Sequence, residues 1–344
     1  MEPIRFALVG CGAWGTHHAQ AIEAVPDTRL VAIVEHNEDN RRRAQAAHPA
    51  VPVFADLREM LAAVETDVVD VVLPSHLHHA VGIEALRAGK HLLIEKPLAL
   101  DLRQCDDLVQ AARQGAKLLA VGHEFRLSSL WGRVRQLITA GEIGEPLYAL
   151  IELWRNPYRL GAGGWRYDLP RVGNWILEEP IHFFDLARWY FQDVGEPLSV
   201  YAQANSRQPD HPELQDNFSA MLRFPHGRYA VVVQTLAGWE HHQAVKITGT
   251  QGALWAAWSG AMDRTPHPQF SLKILRGERV EEVPISKASG EIFELVNEIT
   301  AVANCIRTGS APPCSGSDGR WAVAMCLKAQ ASVDTGKIVP LSPE

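Results

Sequence analysis

A run of β-formers, Ile4–Val9, leads straight into Gly10-Cys11-Gly12-Ala13-Trp14-Gly15, and a helical pattern over Thr16–Val25 follows at once. No other stretch restricts the fold as much. In a strand–turn–helix context, the first glycine permits the tight turn. The second lets the backbone approach a pyrophosphate, and the third lets helix and strand pack closely. The helix N-terminus then offers N–H groups and a positive dipole end to phosphates. The next run, Arg29–Glu35, ends in an acid, where a carboxylate accepts from adenosine ribose hydroxyls and repels a 2′-phosphate. His36 and Arg41–Arg43 are the counterweight, and NAD is expected over NADP. Runs Val68–Leu73, His91–Glu95 and Lys117–Val121 alternate with helical patterns over His76–Ala88 and Asp101–Gln114. Continuous apolar strands separated by helices predict an α/β, Rossmann-type doubly wound parallel sheet over residues 1–123.

At 344 residues the chain has room for a second domain, expected over 124–344. Here strand-like runs with hairpin signals, such as Phe218–Phe224 and Arg228–Leu236 around Pro225-His226-Gly227, predict a C-terminal α+β domain with an open, mainly antiparallel sheet. Trp175–Tyr190 reads as one helix, and 155–174 as loops rich in Gly, Arg and aromatics. Aromatic rings also stack on sugars, so Trp154 and Trp165 in or beside that segment are substrate candidates, as is Arg155 among Arg155, Arg159, Arg166 and Arg171.

The net charge of −7 and the lack of long basic runs argue against nucleic acid or anionic membrane as partners. No stretch approaches the ~20 apolar residues of a membrane span. Five scattered cysteines without a Cys-x-x-Cys pair indicate neither a disulfide framework nor a zinc site. A cytoplasmic location is expected. His76, His78 and His79 lack a carboxylate or thiolate to complete a metal set, so no metal is expected. The adjacent pairs His17-His18 and His241-His242 are set aside as ligands, with His17, which follows the glycine turn closely, a candidate for the nicotinamide side of the cleft.

Further motifs follow: Leu73-Pro74-Ser75 with His78, Glu95-Lys96-Pro97, Gly122-His123-Glu124-Phe125-Arg126, and Glu178-Glu179-Pro180-Ile181-His182-Phe183-Phe184-Asp185. With these, the chain resembles the Gfo/Idh/MocA family of NAD(P)-dependent sugar and cyclitol oxidoreductases along nearly its whole length. Glu-Lys-Pro matches fully. Ser75 stands where Asn is usual, Glu178 where Asp is usual and Pro180 where Gly is usual. The resemblance implies cofactor contacts from Gly10–Gly15, Glu35, His36, Pro74, Ser75, His78, Glu95 and Lys96. It implies substrate contacts from Lys96, Arg126, Glu178 and His182. It also implies a homodimer or homotetramer formed through the second-domain sheet.

Oxidising a secondary alcohol needs a base for the hydroxyl proton while hydride leaves to the nicotinamide. Lys96 fits that role once burial beside a cationic ring lowers its pKa. His182 can share the proton, and Glu178, four residues earlier on one helix, is expected to reach the same cleft. The expected reaction is hydride transfer between a ring alcohol of a sugar, sugar derivative or cyclitol and NAD, within carbohydrate metabolism. The substrate is expected between the nicotinamide and the open face of the second sheet. A lyase or glycosidase using tightly held NAD, and a non-catalytic NAD-binding regulator, are the alternatives.

Overall fold

The computed structural model describes residues 2–341. Two units form, residues 1–124 with 294–320, and residues 125–293 with 321–344.

The first unit is built on β1 (Ile4–Val9), α1 (Gly15–Ala24), β2 (Thr28–Val34), α2 (Glu38–Ala47), β3 (Val53–Phe54), α3 (Leu57–Ala63), β4 (Val68–Val71), α4 (His78–Arg87), β5 (His91–Glu95), α5 (Leu102–Gln114) and β6 (Leu119–Gly122). The strands pair in parallel in the order β3-β2-β1-β4-β5-β6. Strand order reverses beside β1, where doubly wound sheets bind their ligands. Local chemistry starts the helices. The side chain of Asn37 accepts the Asn40 N–H at the start of α2, and Asp101 accepts the Gln104 N–H at the start of α5. The pair β3 and α3 was absent from the sequence reading, because a two-residue strand is too short to show a period.

The second unit contains α6 (Trp131–Thr139), β7 (Pro146–Arg155), α7 (Leu169–Val172), α8 (Trp175–Glu178), α9 (Pro180–Tyr190), β8 (Ser199–Asn205), β9 (Asn217–Arg223), β10 (Tyr229–Thr235), β11 (His241–Gly249), β12 (Gly252–Gly260), β13 (Gln269–Arg276) and β14 (Arg279–Glu282). Three elements follow: α10 (Glu291–Thr308), α11 (Gly316–Thr335) and β15 (Val339–Pro340). The sheet order is β14-β13-β12-β11-β7-β10-β9-β8-β15, antiparallel throughout except for the parallel pair β7 and β10. Along β7, Ala149, Ile151, Leu153 and Arg155 are buried and alternate with more exposed neighbours. One face therefore packs under α9, and the other is open.

The single boundary expected after residue 123 misses residues 294–320, which belong to the first unit. Leu295, Ile299, Val302 and Ala303 of α10 share a core with Phe6, Leu8, Ile22 and Ile33. Their spacing of three to four residues puts all four on one helix face. Burying each is worth roughly 1–3 kcal/mol, which outweighs sequence proximity in deciding where α10 packs.

Candidate active site

At the C-terminal end of β1 the glycines serve distinct steric needs. Gly10 has φ +95°, and a Cβ there would lie 2.2 Å from the Val72 carbonyl oxygen. A Cβ on Gly15 would lie 2.0 Å from the Gly10 oxygen, whereas one on Gly12 would meet nothing within 4 Å. The turn is thus closed on the protein side and open at Gly12. No side chain caps α1 at Trp14, so the helix start is left to an anionic group. This cradle and the acid at the end of β2 fit a dinucleotide. Ala13 is exposed at the loop tip, and Cys11 is buried. Burial, aided by Glu35, pushes the Cys11 thiol up, so it packs rather than reacts.

Glu35 braces the loop. One carboxylate oxygen accepts the Cys11 N–H at 2.9 Å and the other the Asn37 N–H at 2.8 Å. None of the basic trio pairs with the Glu35 carboxylate among the described contacts, although Arg41 stays at the end of β2. Arg41 donates to the backbone oxygens of Glu35 and His36, Arg42 pairs with Asp39, and Arg43 donates to Asn40. His36 itself is exposed.

At the end of β5, Glu95 Oε1 accepts Trp14 Nε1–H at 2.7 Å and lies 3.1 Å from His18 Nε2. Its Oε2 accepts the Lys96 backbone N–H at 3.1 Å. Burial opposes ionisation of Glu95, but His18 and Lys96 outweigh it and hold the carboxyl below its usual range. The opposite side of the His18 ring, Nδ1, lies 2.9 Å from Asp70 Oδ2. Glu298 of α10 is buried beside this group, and burial together with Glu95 pushes it up to about 8. His78 spans the carbonyl oxygens of Leu73 and Pro97 at 2.8 and 2.7 Å, bracing the Pro74-Ser75 turn against the Glu-Lys-Pro turn. Ser75 is buried at the start of that turn.

His18, Asp70 and Glu298 are not among the residues singled out from the sequence, where His17 is the histidine considered for this cleft. A signal was present. Trp14 and His18 are four apart and share a helix face, and Asp70 is an acid inside an otherwise apolar strand, which demands a buried partner.

In the second unit the expected continuous helix is broken. Glu179 leaves helical geometry at φ −129° between α8 and α9, because a residue before proline is driven out of the α region. Glu178 and His182 therefore do not lie one regular turn apart. Glu178 accepts Arg166 Nε–H at 2.5 Å, and the Arg166 guanidinium lies over the Trp165 ring. Glu179 accepts from Arg155 Nη1 at 2.9 Å, and Asp263 lies 3.4 Å from Arg155 Nη2. His182 is buried and stacks on Phe125 at 4.7 Å.

Two further expectations change. Arg126 spends its fork on Asp185, at 2.8 and 2.6 Å, with both side chains buried. Trp154 and Arg155, expected together at the substrate, point to opposite faces of β7 because side chains alternate along a strand. Arg155 lies on the helix-covered face, on which α9 packs. Trp154 meets Trp239 on the open face, at 5.4 Å. The two substrate candidates of this strand are thus divided, Trp154 on the open face and Arg155 on the covered one.

Comparison with known proteins places these features in context. Residues 4–123 match the model of an oxidoreductase family with an NAD-binding Rossmann fold, and residues 131–255 match the GFO/IDH/MocA C-terminal domain. The 1,5-anhydro-D-fructose reductase of Ensifer adhaerens is 26% identical over 284 residues, covering 82% of this chain and 81% of that protein. The myo-inositol 2-dehydrogenase of Thermotoga maritima is 24% identical over 341 residues, 98% of each chain. Among solved structures, the WlbA dehydrogenase from Bordetella pertussis, in complex with NADH and UDP-GlcNAcA, superposes with a TM-score of 0.84 at 26% identity, covering 100% of this chain and 99% of that one. Among the described residues, no helix is long and apolar enough to cross a membrane.

Proposed function

The chain belongs to the GFO/IDH/MocA family of NAD-binding oxidoreductases, and from that premise we propose that it moves a hydride between NAD and a ring secondary alcohol of a sugar, sugar derivative or cyclitol. The first unit binds the dinucleotide. The second provides substrate recognition and self-association into a dimer or tetramer. The observation that carries this reading is the tie between Trp14 of the glycine loop and Glu95. It joins the phosphate cradle to the Glu95-Lys96-Pro97 turn at the strand ends.

Bound there, the nicotinamide supplies hydride acceptance and return. The protein's own residues supply the rest. In the oxidative direction, Lys96 Nζ takes the hydroxyl proton as the C–H bond breaks, and in reduction it gives the proton back to the carbonyl oxygen. His182, its ring held flat against Phe125, donates to the reacting oxygen. Glu178, oriented by Arg166, accepts from a neighbouring hydroxyl. Glu35 accepts from the adenosine ribose and disfavours a 2′-phosphate.

The test is a panel of sugars, glycosides, inositols and sugar acids with NAD and NADP, followed by the absorbance of reduced cofactor. Net NADH formation is expected, which separates this reading from transient oxidation. Lys96→Ala should keep NAD affinity and lower kcat by about 10²–10⁴. Unchanged turnover in that variant removes Lys96 from the mechanism.

A further inference from the structure

The geometry points to His18 as a positioning residue for the acid–base step: by tying Asp70 to Glu95 it holds the Lys96 backbone and the Trp14 indole in one orientation. This rests on the reading of Lys96 as the acid–base group.

His18 is 1% exposed and makes no contact with open solvent that would explain a polar ring. Its two nitrogens meet two different elements, β4 through Asp70 and the end of β5 through Glu95. Carboxylates only accept, so the ring meets both when it carries both protons. Glu95 is then held on each oxygen, by Trp14 and His18 on one and by the Lys96 N–H on the other. Turning that carboxylate breaks all three contacts, so the Lys96 main chain is locked relative to the glycine loop. Displacements near 1 Å at a reacting group can lower rates by ~10², which makes such a lock consequential.

The charges that face this ring are Asp70 and Glu95, with Lys96 beyond Glu95 and Glu298 packed from α10. Burial works against the imidazolium, but the two carboxylates hold it protonated well above the ordinary histidine range. Removing that positive charge leaves the carboxylates to hold the Lys96 ammonium more tightly. The base then frees itself only at higher pH.

The experiment compares wild type, His18→Gln, His18→Gln with Asp70→Asn, and Lys96→Ala in the oxidative direction with the best substrate of the panel. NAD affinity is measured by fluorescence titration, and folding by a melting curve. For His18→Gln, kcat should fall about 10- to 100-fold, while substrate KM and NAD Kd stay within about threefold. The ascending limb of kcat/KM against pH should move up by about half a unit or more. The double variant removes one charge of each sign, so its limb should return towards wild type while kcat stays low. A purely structural His18 would lower the melting temperature and leave the limb in place.

Wild-type kcat and an unmoved limb in folded His18→Gln overturn the proposal while leaving Lys96 intact. Should His18→Gln not fold, the double variant decides, and wild-type turnover there overturns it equally. Unchanged turnover in Lys96→Ala defeats the underlying reading itself, whatever His18 does.

Discussion

The two units bury charge around different cations. In the first, an imidazole lies between Asp70 and Glu95, with Glu298 close by. In the second, guanidinium groups do the pairing, Arg126 with Asp185, and Arg155 with Glu179 and Asp263. A guanidinium stays charged at any working pH and grips a carboxylate through a planar fork. The imidazole between two carboxylates is held protonated well above the ordinary histidine range, while a displaced carboxyl such as Glu298 changes charge near 8. Each unit also keeps a displaced carboxyl, Glu298 near 8 in the first and Glu291, pushed up to about 7 by burial and Asp263, in the second, so what sets the first apart is its imidazole. The difference follows the chemistry, because the proposed base Lys96 adjoins the network built on the imidazole.

The largest effect should come from breaking a guanidinium pair of the second unit. Arg126→Leu strands a buried Asp185 and should cost about 3–5 kcal/mol in urea unfolding. Adding Asp185→Leu should recover most of it. A single variant within about 1 kcal/mol of wild type would mean that solvent reaches the pair, and the contrast between the units would weaken.

In the first unit, Glu298→Gln should stabilise the protein in a pH-dependent way. The folded group titrates near 8 against 4.5 ordinarily, pushed up by burial and then by Glu95. Below 4.5 both states carry the proton and the variant should gain nothing. Between those values the unfolded chain gives up a proton that the folded chain keeps, so wild-type stability falls by at most about 1.4 kcal/mol per pH unit. The variant escapes this loss, so its gain in melting temperature should grow up to about pH 8 and then level off. A gain independent of pH would show that Glu298 is not held protonated.

Glu35 sharpens the same side, since it faces backbone N–H groups with no cation on its carboxylate among the described contacts. Repulsion of a 2′-phosphate should favour NAD by roughly 1–3 kcal/mol, about 5- to 150-fold in kcat/KM. Glu35→Gln should shrink that ratio. An NADP preference in the wild type would show that Arg41–Arg43 govern the pocket.

The smallest effect is expected on the open sheet face. Trp154→Ala should leave kcat and KM within about twofold, because Trp154 and Arg155 face opposite ways. Light scattering checks whether self-association weakens. A large loss of kcat in a variant of unchanged oligomeric state would return the open face to the substrate site.

Legibility divided along similar lines. Gly10–Gly15, Glu35 and the Glu95-Lys96-Pro97 turn were readable because each depends on its neighbours in sequence, through a turn, a strand end or a proline. The parallel and antiparallel sheets were readable from continuous apolar runs and from hairpins. The break at Glu179 was readable in principle, since Pro180 imposes it locally. The pairing of Arg126 with Asp185, and of Arg155 with Glu179, was not. A charged side chain in a sequence says only that it needs a partner or water.

The sequence by itself determined most of the longer secondary-structure elements, the dinucleotide cradle and the supply of ionisable groups, because local sterics and hydrophobic period act over a few residues. Tertiary structure alone decided that α10 returns to the first unit, that His18 lies between Asp70 and Glu95, and that Arg155 meets Glu179 and Asp263. Those outcomes turn on which apolar faces bury together. Burial then sets which charges meet far from water, where an unpaired carboxylate is costly and a paired one is held in place.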